Sequence, residues 1–106
     1  MATGRLGHAD LSAGANTSLY TVPANTFGIV TLSICNRGNS AISVRVALAS
    51  AGTPALSEYL EYDVEILPKG VLERSGIAMA AGQILVVYSS AANVSAVAMG
   101  IETSTA

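Results

Sequence analysis

The chain has 106 residues, which is the size of one domain and too short for two independent hydrophobic cores. Hydrophobic residues make up 51% of it and charged residues only 11%, less than half of the roughly 25% found in ordinary soluble domains. The formal net charge of -2, with five scattered basic residues, excludes the basic stripe that nucleic-acid binding requires. So few charges predict a surface that is apolar or covered by a partner.

The N-terminal segment, residues 1–14, consists mostly of small residues and has few apolar anchors. We predict an extended N-terminal arm, which is either disordered or ordered by lying across a neighbouring subunit. Its candidate contacts with a partner are Arg5, Leu6 and His8. No apolar segment of the signal-peptide kind follows Arg5, so we expect no secretory export.

The next three segments have the period-two alternation of β-strands. A short strand is predicted over Ser18–Val22, and a longer one over Phe27–Asn36, with alternate apolar residues on one face. The clearest alternation is in Ile42–Leu48. Asn36–Asn39 contains residues that tolerate positive φ, so we predict a β-hairpin between the second and third strands.

A fourth strand, Tyr59–Ile66, is predicted to have one dry and one wet face. Its dry face contains Leu60, Tyr62, Val64 and Ile66, and its wet face contains Tyr59, Glu61, Asp63 and Glu65. The carboxylates on the wet face, with Glu58, are a candidate calcium site. Side chains two apart on a strand lie ~7 Å from each other in a row, and no calcium-binding loop accompanies them, so a solvated or salt-bridged face is the favoured interpretation.

Three weaker strands complete the pattern, at Val71–Arg74, Ile84–Tyr88 and Val94–Ile101. Seven short strands, with turn signals roughly every eight to twelve residues, predict an all-β domain: an antiparallel β-sandwich of jelly-roll or immunoglobulin-like type. We place this domain at residues 15–102, followed by a C-terminal tail at residues 103–106.

No membrane span and no catalytic centre are predicted. The long charge-free stretch Ile77–Ile101 is broken at Gly82 and at Asn93, as strands between turns would be. One His and one Cys, with no nucleophile elbow and no metal-ligand spacing, give no support to an enzyme, a metal site or a bound cofactor. We therefore expect a protein that acts by association.

Two arginines are candidate partner contacts. Arg45 lies among small residues on its strand and is expected to pair with one of the carboxylates of the fourth strand. Arg74 follows Glu73, which offers a second pair. We interpret both as devices that fix strand register or mark a subunit contact.

In its order of short segments, the chain resembles small virion structural proteins of tailed bacteriophages, notably those of cyanobacterial and other aquatic phages. The segments that carry the resemblance are Leu19–Ala24, Ile34–Gly38, Glu61–Asp63, Leu67–Arg74, Ala81–Gln83, Ser90–Ser95 and Gly100–Glu102.

This resemblance implies a β-sandwich present in many copies per particle, without catalytic residues and assembled as a symmetric homo-oligomer. A capsid decoration or cement protein is favoured, as a trimer bound to the major capsid protein, made in the host cytoplasm and located on the virion. Neck, collar, tail or baseplate accessory proteins that form rings are the alternative. A carbohydrate-binding host-recognition module is a lower alternative, with Tyr59 as its candidate aromatic platform.

Overall fold

The computed structural model describes residues 3–105, which form eight β-strands and one short 3-10 helix, η1. The strands are β1 (Thr3–Leu11), β2 (Ala15–Thr21), β3 (Thr26–Asn36), β4 (Ile42–Ala49), β5 (Tyr59–Ile66), β6 (Val71–Met79), β7 (Ile84–Ser89) and β8 (Val94–Ser104), and η1 is Leu56–Glu58. The all-β prediction is confirmed, and each of the seven predicted strands corresponds to one of β2 to β8.

The strands form two four-stranded antiparallel sheets. The first sheet has the order β1-β8-β3-β6 and the second the order β2-β7-β4-β5. Only the β4–β5 connection stays within one sheet, whereas every other connection between these strands crosses from one sheet to the other. The chain therefore builds both layers of a β-sandwich together.

A single large core lies between the two sheets and contains the alternate residues of the central strands. Val30, Leu32 and Ile34 on β3 and Val44 and Val46 on β4 are at most 1% exposed. Burial of each such side chain contributes roughly 1.5–3 kcal/mol relative to leaving it in water. The alternation predicted for β3 and β4 is thus confirmed.

The predicted hairpin between β3 and β4 is wrong, because these strands belong to different sheets. β3 pairs with β6 and β8, while β4 pairs with β5 and β7. The buried side chain of Asn36 holds the crossover. Its amide nitrogen donates to the carbonyl oxygens of Ser40, Ile66 and Leu67 at 2.8, 3.2 and 3.2 Å, and its oxygen accepts from the Gly38 N–H.

The strict alternation predicted for β5 is also wrong, because the strand has extra residues at two places, one at Tyr62–Asp63 and one at Leu60. Tyr62 and Asp63 together oppose the single residue Arg45 of β4, and Asp63 has a φ of 53°. An extra residue in a strand reverses the alternation of inward and outward side chains in the residues that follow the bulge. Tyr62 is therefore 51% exposed instead of buried, and Glu61 is half-buried opposite the core residue Val46.

Both ends of the described range, residues 3–105, belong to the first sheet as well. The segment predicted as an arm, residues 1–14, contains β1, and β1 pairs with β8 along the whole length of β1. Residues 1 and 2 of the predicted arm lie outside the described residues. The predicted tail begins within β8, which continues to Ser104. Backbone hydrogen bonds to a neighbouring strand do not need apolar side chains, so a segment with few anchors is still held at the sheet edge.

Candidate functional site

The outer face of the first sheet carries an apolar patch, formed by Phe27 and Ile29 of β3 and Met99 and Ile101 of β8. Ile29 and Ile101 are directly opposite each other in the strand register. The exposed fractions of the four residues are 40, 47, 36 and 56%. Contiguous exposed apolar residues are typical of interaction surfaces.

Arg5 and His8, two of the predicted partner contacts, lie beside the apolar patch. They are exposed on β1 and oppose Met99 and Val97 of β8. Leu6 is the extra residue of a bulge between them and packs against the core instead. The structure therefore brings two of the three N-terminal candidates to one face and turns the third inward.

The outer face of the second sheet carries a different group of side chains, which we call the aromatic–arginine cluster: Arg45, Tyr59, Tyr62, Asp63 and Tyr88. The Arg45 guanidinium carbon lies 4.3 Å from the ring centre of Tyr62 and 4.6 Å from that of Tyr88. Arg45 Nε donates to Asp63 Oδ1 at 2.6 Å. The Tyr59 and Tyr62 rings meet edge to face, with their centres 4.9 Å apart.

This geometry confirms that Arg45 pairs with a β5 carboxylate, which is Asp63. The Asp63 carboxylate raises the pKa of the Arg45 guanidinium, chiefly through their hydrogen bond. A guanidinium between two ring faces gains cation–π attraction on both sides. The side chain of Arg45 is therefore held in one orientation at the surface.

A small second core supports one side of the cluster. Ala47, Ala49 and Val86 are buried on the outer face of the second sheet, and Tyr59 and Ile84 pack against them. The β4–β5 connection lies over this side, since Gly52 is next to the Ser18 side chain of β2.

Arg74 is not part of either face. Its Nη1 donates to Glu61 Oε2 at 2.7 Å, so its partner is Glu61 rather than the predicted Glu73. β6 and β5 are edge strands of opposite sheets. The pair thus joins the two sheets along one open side of the sandwich.

The loops at one end of the sandwich enclose a cleft of about 200 Å³. Its lining includes Asn36, Asn39 and Ser40 from the end of β3 and the β3–β4 crossover, and Ala91 and Asn93 from the β7–β8 connection. Because both polar atoms of the Asn36 amide already have backbone partners, this cleft is held together by its own hydrogen bonds.

The carboxylates predicted as a calcium site do not converge on one point. Glu61 binds Arg74, Asp63 binds Arg45, and Glu58 accepts hydrogen bonds from Ser50 and Ala55. Within residues 3–105, no group of three His, Cys, Asp or Glu side chains is placed to hold a metal ion. In the same part of the chain, no helix is long and apolar enough to cross a membrane.

Tyr62 and Tyr88 were not predicted from the sequence as members of a site. The alternation of β5 assigned Tyr62 to the core, and the bulge that turns it outward has no glycine to signal it. Tyr88 comes next to Arg45 only through the pairing of β7 with β4.

Comparison with known proteins identifies no relative: no family model, no curated protein and no solved structure matches the chain.

Proposed function

We propose that this chain is a non-enzymatic virion structural protein of a tailed bacteriophage, with a jelly-roll fold. Its favoured role is that of a capsid decoration or cement protein, which binds the assembled shell as a homo-oligomer and stabilises it. The proposal combines the resemblance of the sequence with two structural features, the strand order and the apolar patch.

The strand order supports a jelly roll over an immunoglobulin-like sandwich. In the pairs β1–β8, β2–β7, β3–β6 and β4–β5, the strand numbers add up to the same value. This is the result of folding the chain into one long hairpin at β4–β5 and rolling that hairpin into two sheets. Eight strands in two such sheets are typical of the jelly roll, which viral capsid domains use.

The apolar patch is the observation that carries the proposed association. A monomer gains nothing by holding Phe27, Ile29, Met99 and Ile101 in water, whereas a subunit contact would cover them. Burial of apolar area stabilises a contact by about 25 cal/mol per Å², less the cost of association. In a symmetric shell, many copies of a weak contact act together.

In this role the protein acts by non-covalent association. Copies associate through the apolar patch, with Arg5 and His8 at its margin, and the oligomer then binds the major capsid protein or another virion protein. The protein supplies repeated contacts that hold the shell together, and no covalent step is involved. The site of action is the virion, after synthesis in the host cytoplasm.

The test is the native mass of the purified chain by light scattering at two concentrations. We expect a trimer, and we expect Ile29→Glu to shift it to a monomer, because a carboxylate at the centre of the patch would have to be buried without a partner. Leu67→Glu is the matched control: Leu67 is 63% exposed in the turn after β5 and away from the patch, and its variant should stay trimeric.

A wild-type chain that is monomeric at both concentrations would contradict the proposed self-association. A hexamer would favour the alternative role, a neck, collar, tail or baseplate protein that forms a ring. Deletion of residues 1–13 is a poor test of attachment, because it removes β1 and leaves β8 with β3 as its one remaining neighbour.

A further inference from the structure

The aromatic–arginine cluster has features that packing alone does not require. Tyr62 is turned out of the core by the β5 bulge and stays 51% exposed. The bulge places the non-glycine residue Asp63 at a φ of 53°, a region that such residues seldom occupy. Bulges frequently re-aim a side chain next to a binding site.

The cluster is one end of a row of side chains that crosses the whole second sheet. In the strand register, Asn16 of β2 opposes Tyr88 of β7, which opposes Arg45 of β4, which opposes the bulge of β5. Since opposed residues share a face of the sheet, the amide of Asn16, two aromatic rings and an arginine–carboxylate pair lie along one line.

We propose that this row binds carbohydrate, as a platform for a neutral oligosaccharide. The C–H bonds on the face of a sugar ring carry partial positive charge and pack against the negative face of an aromatic ring such as Tyr62. The hydroxyl groups at the edge of the sugar need donors and acceptors. The guanidinium of Arg45, the carboxylate of Asp63 and the amide of Asn16 supply both kinds.

The charges of the row favour a neutral ligand over an anionic one. Arg45 is the only basic residue in it, and its charge is neutralised by Asp63. Glu65 is exposed on the same strand, two residues beyond Asp63. A phosphate or a sulfated sugar would therefore meet no net positive charge here.

The surroundings favour a sugar over a protein partner. The exposed large apolar residues of the two sheet faces are concentrated on the first sheet, whereas the positions around the cluster include Ser43, Glu65 and Asn16. Protein interfaces need an apolar centre that excludes water. The side chain of Arg45 is also fixed before binding, which lowers the entropic cost of holding a small ligand.

The test uses the full chain and four neutral hexasaccharides, built of glucose, mannose, galactose or N-acetylglucosamine. We expect saturation-transfer NMR to detect contact with at least one of them, and amide shifts on titration to fall on β4, β5 and β7. Tyr62→Ala should weaken the affinity by about tenfold or more, which corresponds to the loss of about 1.4 kcal/mol. Arg45→Lys, which keeps the positive charge but loses the planar guanidinium group, should weaken the affinity too.

Leu67→Ala is the matched control, because Leu67 is an exposed apolar residue in the turn after β5, outside both the cluster and the apolar patch, and its loss should leave sugar binding unchanged. The proposal is overturned if none of the four sugars binds, or if Leu67→Ala weakens binding as much as Tyr62→Ala. A chain that binds heparin hexasaccharide but none of the four neutral sugars would also overturn the proposal, because its ligand would then be anionic. It fails as well if Tyr62→Ala dissociates the oligomer, since the cluster would then be a subunit interface. The proposal does not depend on the virion role, whose test is the separate Ile29→Glu variant.

Discussion

The hydroxyl of Tyr20 on β2 donates a hydrogen bond of 2.5 Å to Oε2 of Glu102 on β8, so a buried phenol of one sheet is joined to a buried carboxyl group of the other. Gly28 of β3 lies opposite Glu102 in the register and next to the phenol, where a Cβ would make an ordinary contact of 3.6 Å with the Tyr20 oxygen. This contact links the sheets at a position where the core between them is polar.

Tyr20→Phe is expected to lower the free energy of unfolding by about 1–3 kcal/mol, because the buried carboxyl group loses a donor. The variant should also change the response to alkali. Burial raises the pKa of Tyr20 above its ordinary value of 10.0, and the hydrogen bond to Glu102 raises it further. Since the folded pKa is the higher one, the stabilisation is complete below pH 10 and is lost as the pH rises above it.

Urea unfolding at pH 8 and at pH 11 checks both effects. The wild-type chain should lose more stability between these pH values than Tyr20→Phe does. Tyr88→Phe removes a hydroxyl from a half-buried tyrosine of β7 and serves as the control. Equal alkaline losses in wild type and Tyr20→Phe would contradict the assignment.

Asn36→Ala is expected to destabilise the protein by about 3 kcal/mol, the upper end of the range for a lost buried partner, because three carbonyl groups lose their donor together. These carbonyls belong to the β3–β4 crossover and to the end of β5. The measurement is thermal or urea unfolding, with Asn39→Ala as the control at an exposed position of the same loop. A small effect at both positions would mean that the crossover does not depend on Asn36.

Gly7→Ala tests how closely β1 approaches β2. A Cβ on Gly7 would overlap the carbonyl oxygen of Leu19, so β1 would have to move away. We expect a loss of about 1–3 kcal/mol, typical of overpacking, and faster amide exchange along β1 and its partner β8. Gly52→Ala, whose Cβ would make only an ordinary contact with Ser18, should be nearly neutral. Unchanged exchange in Gly7→Ala would contradict the close approach.

The β4–β5 connection should loosen in acid. The backbone N–H of Ala55 lowers the pKa of Glu58 below its ordinary value of 4.5, and Ser50 adds to this. A lowered folded pKa means that the stabilisation is present above pH 4.5 and is lost as the pH falls below it. Hydrogen exchange at Ser50 and Ala55 should therefore accelerate in acid beyond its intrinsic pH dependence.

The comparison for this prediction is between Glu58→Gln and Glu65→Gln. The first variant should abolish the excess acceleration, because its side chain no longer titrates. The second should keep it, because Glu65 is an exposed carboxylate on β5, outside the β4–β5 connection. If the excess acceleration of hydrogen exchange in acid persists in Glu58→Gln, the acid response belongs to another titratable group.

The sequence by itself determined β2 to β8, because alternation of apolar and polar residues is a local property of each segment. The faces of β3 and β4 follow directly from it. The lengths of β6 and β8 were underestimated. The predicted β6 ended at Arg74, but the strand continues through Gly76, which has a φ of 71° and lies in a bulge rather than a turn.

Only the tertiary structure decided which strand lies beside which, since every alternating strand offers the same backbone hydrogen bonds to any neighbour. For this reason β3 and β4 were wrongly predicted to form a hairpin, and the segment that contains β1 was predicted as an arm outside the sandwich. Tyr62 and Tyr88 meet around Arg45 through one bulge and one pairing between strands distant in sequence. Because such contacts depend on register and not on local pattern, the alternation predicted the core of this protein but not its surface cluster.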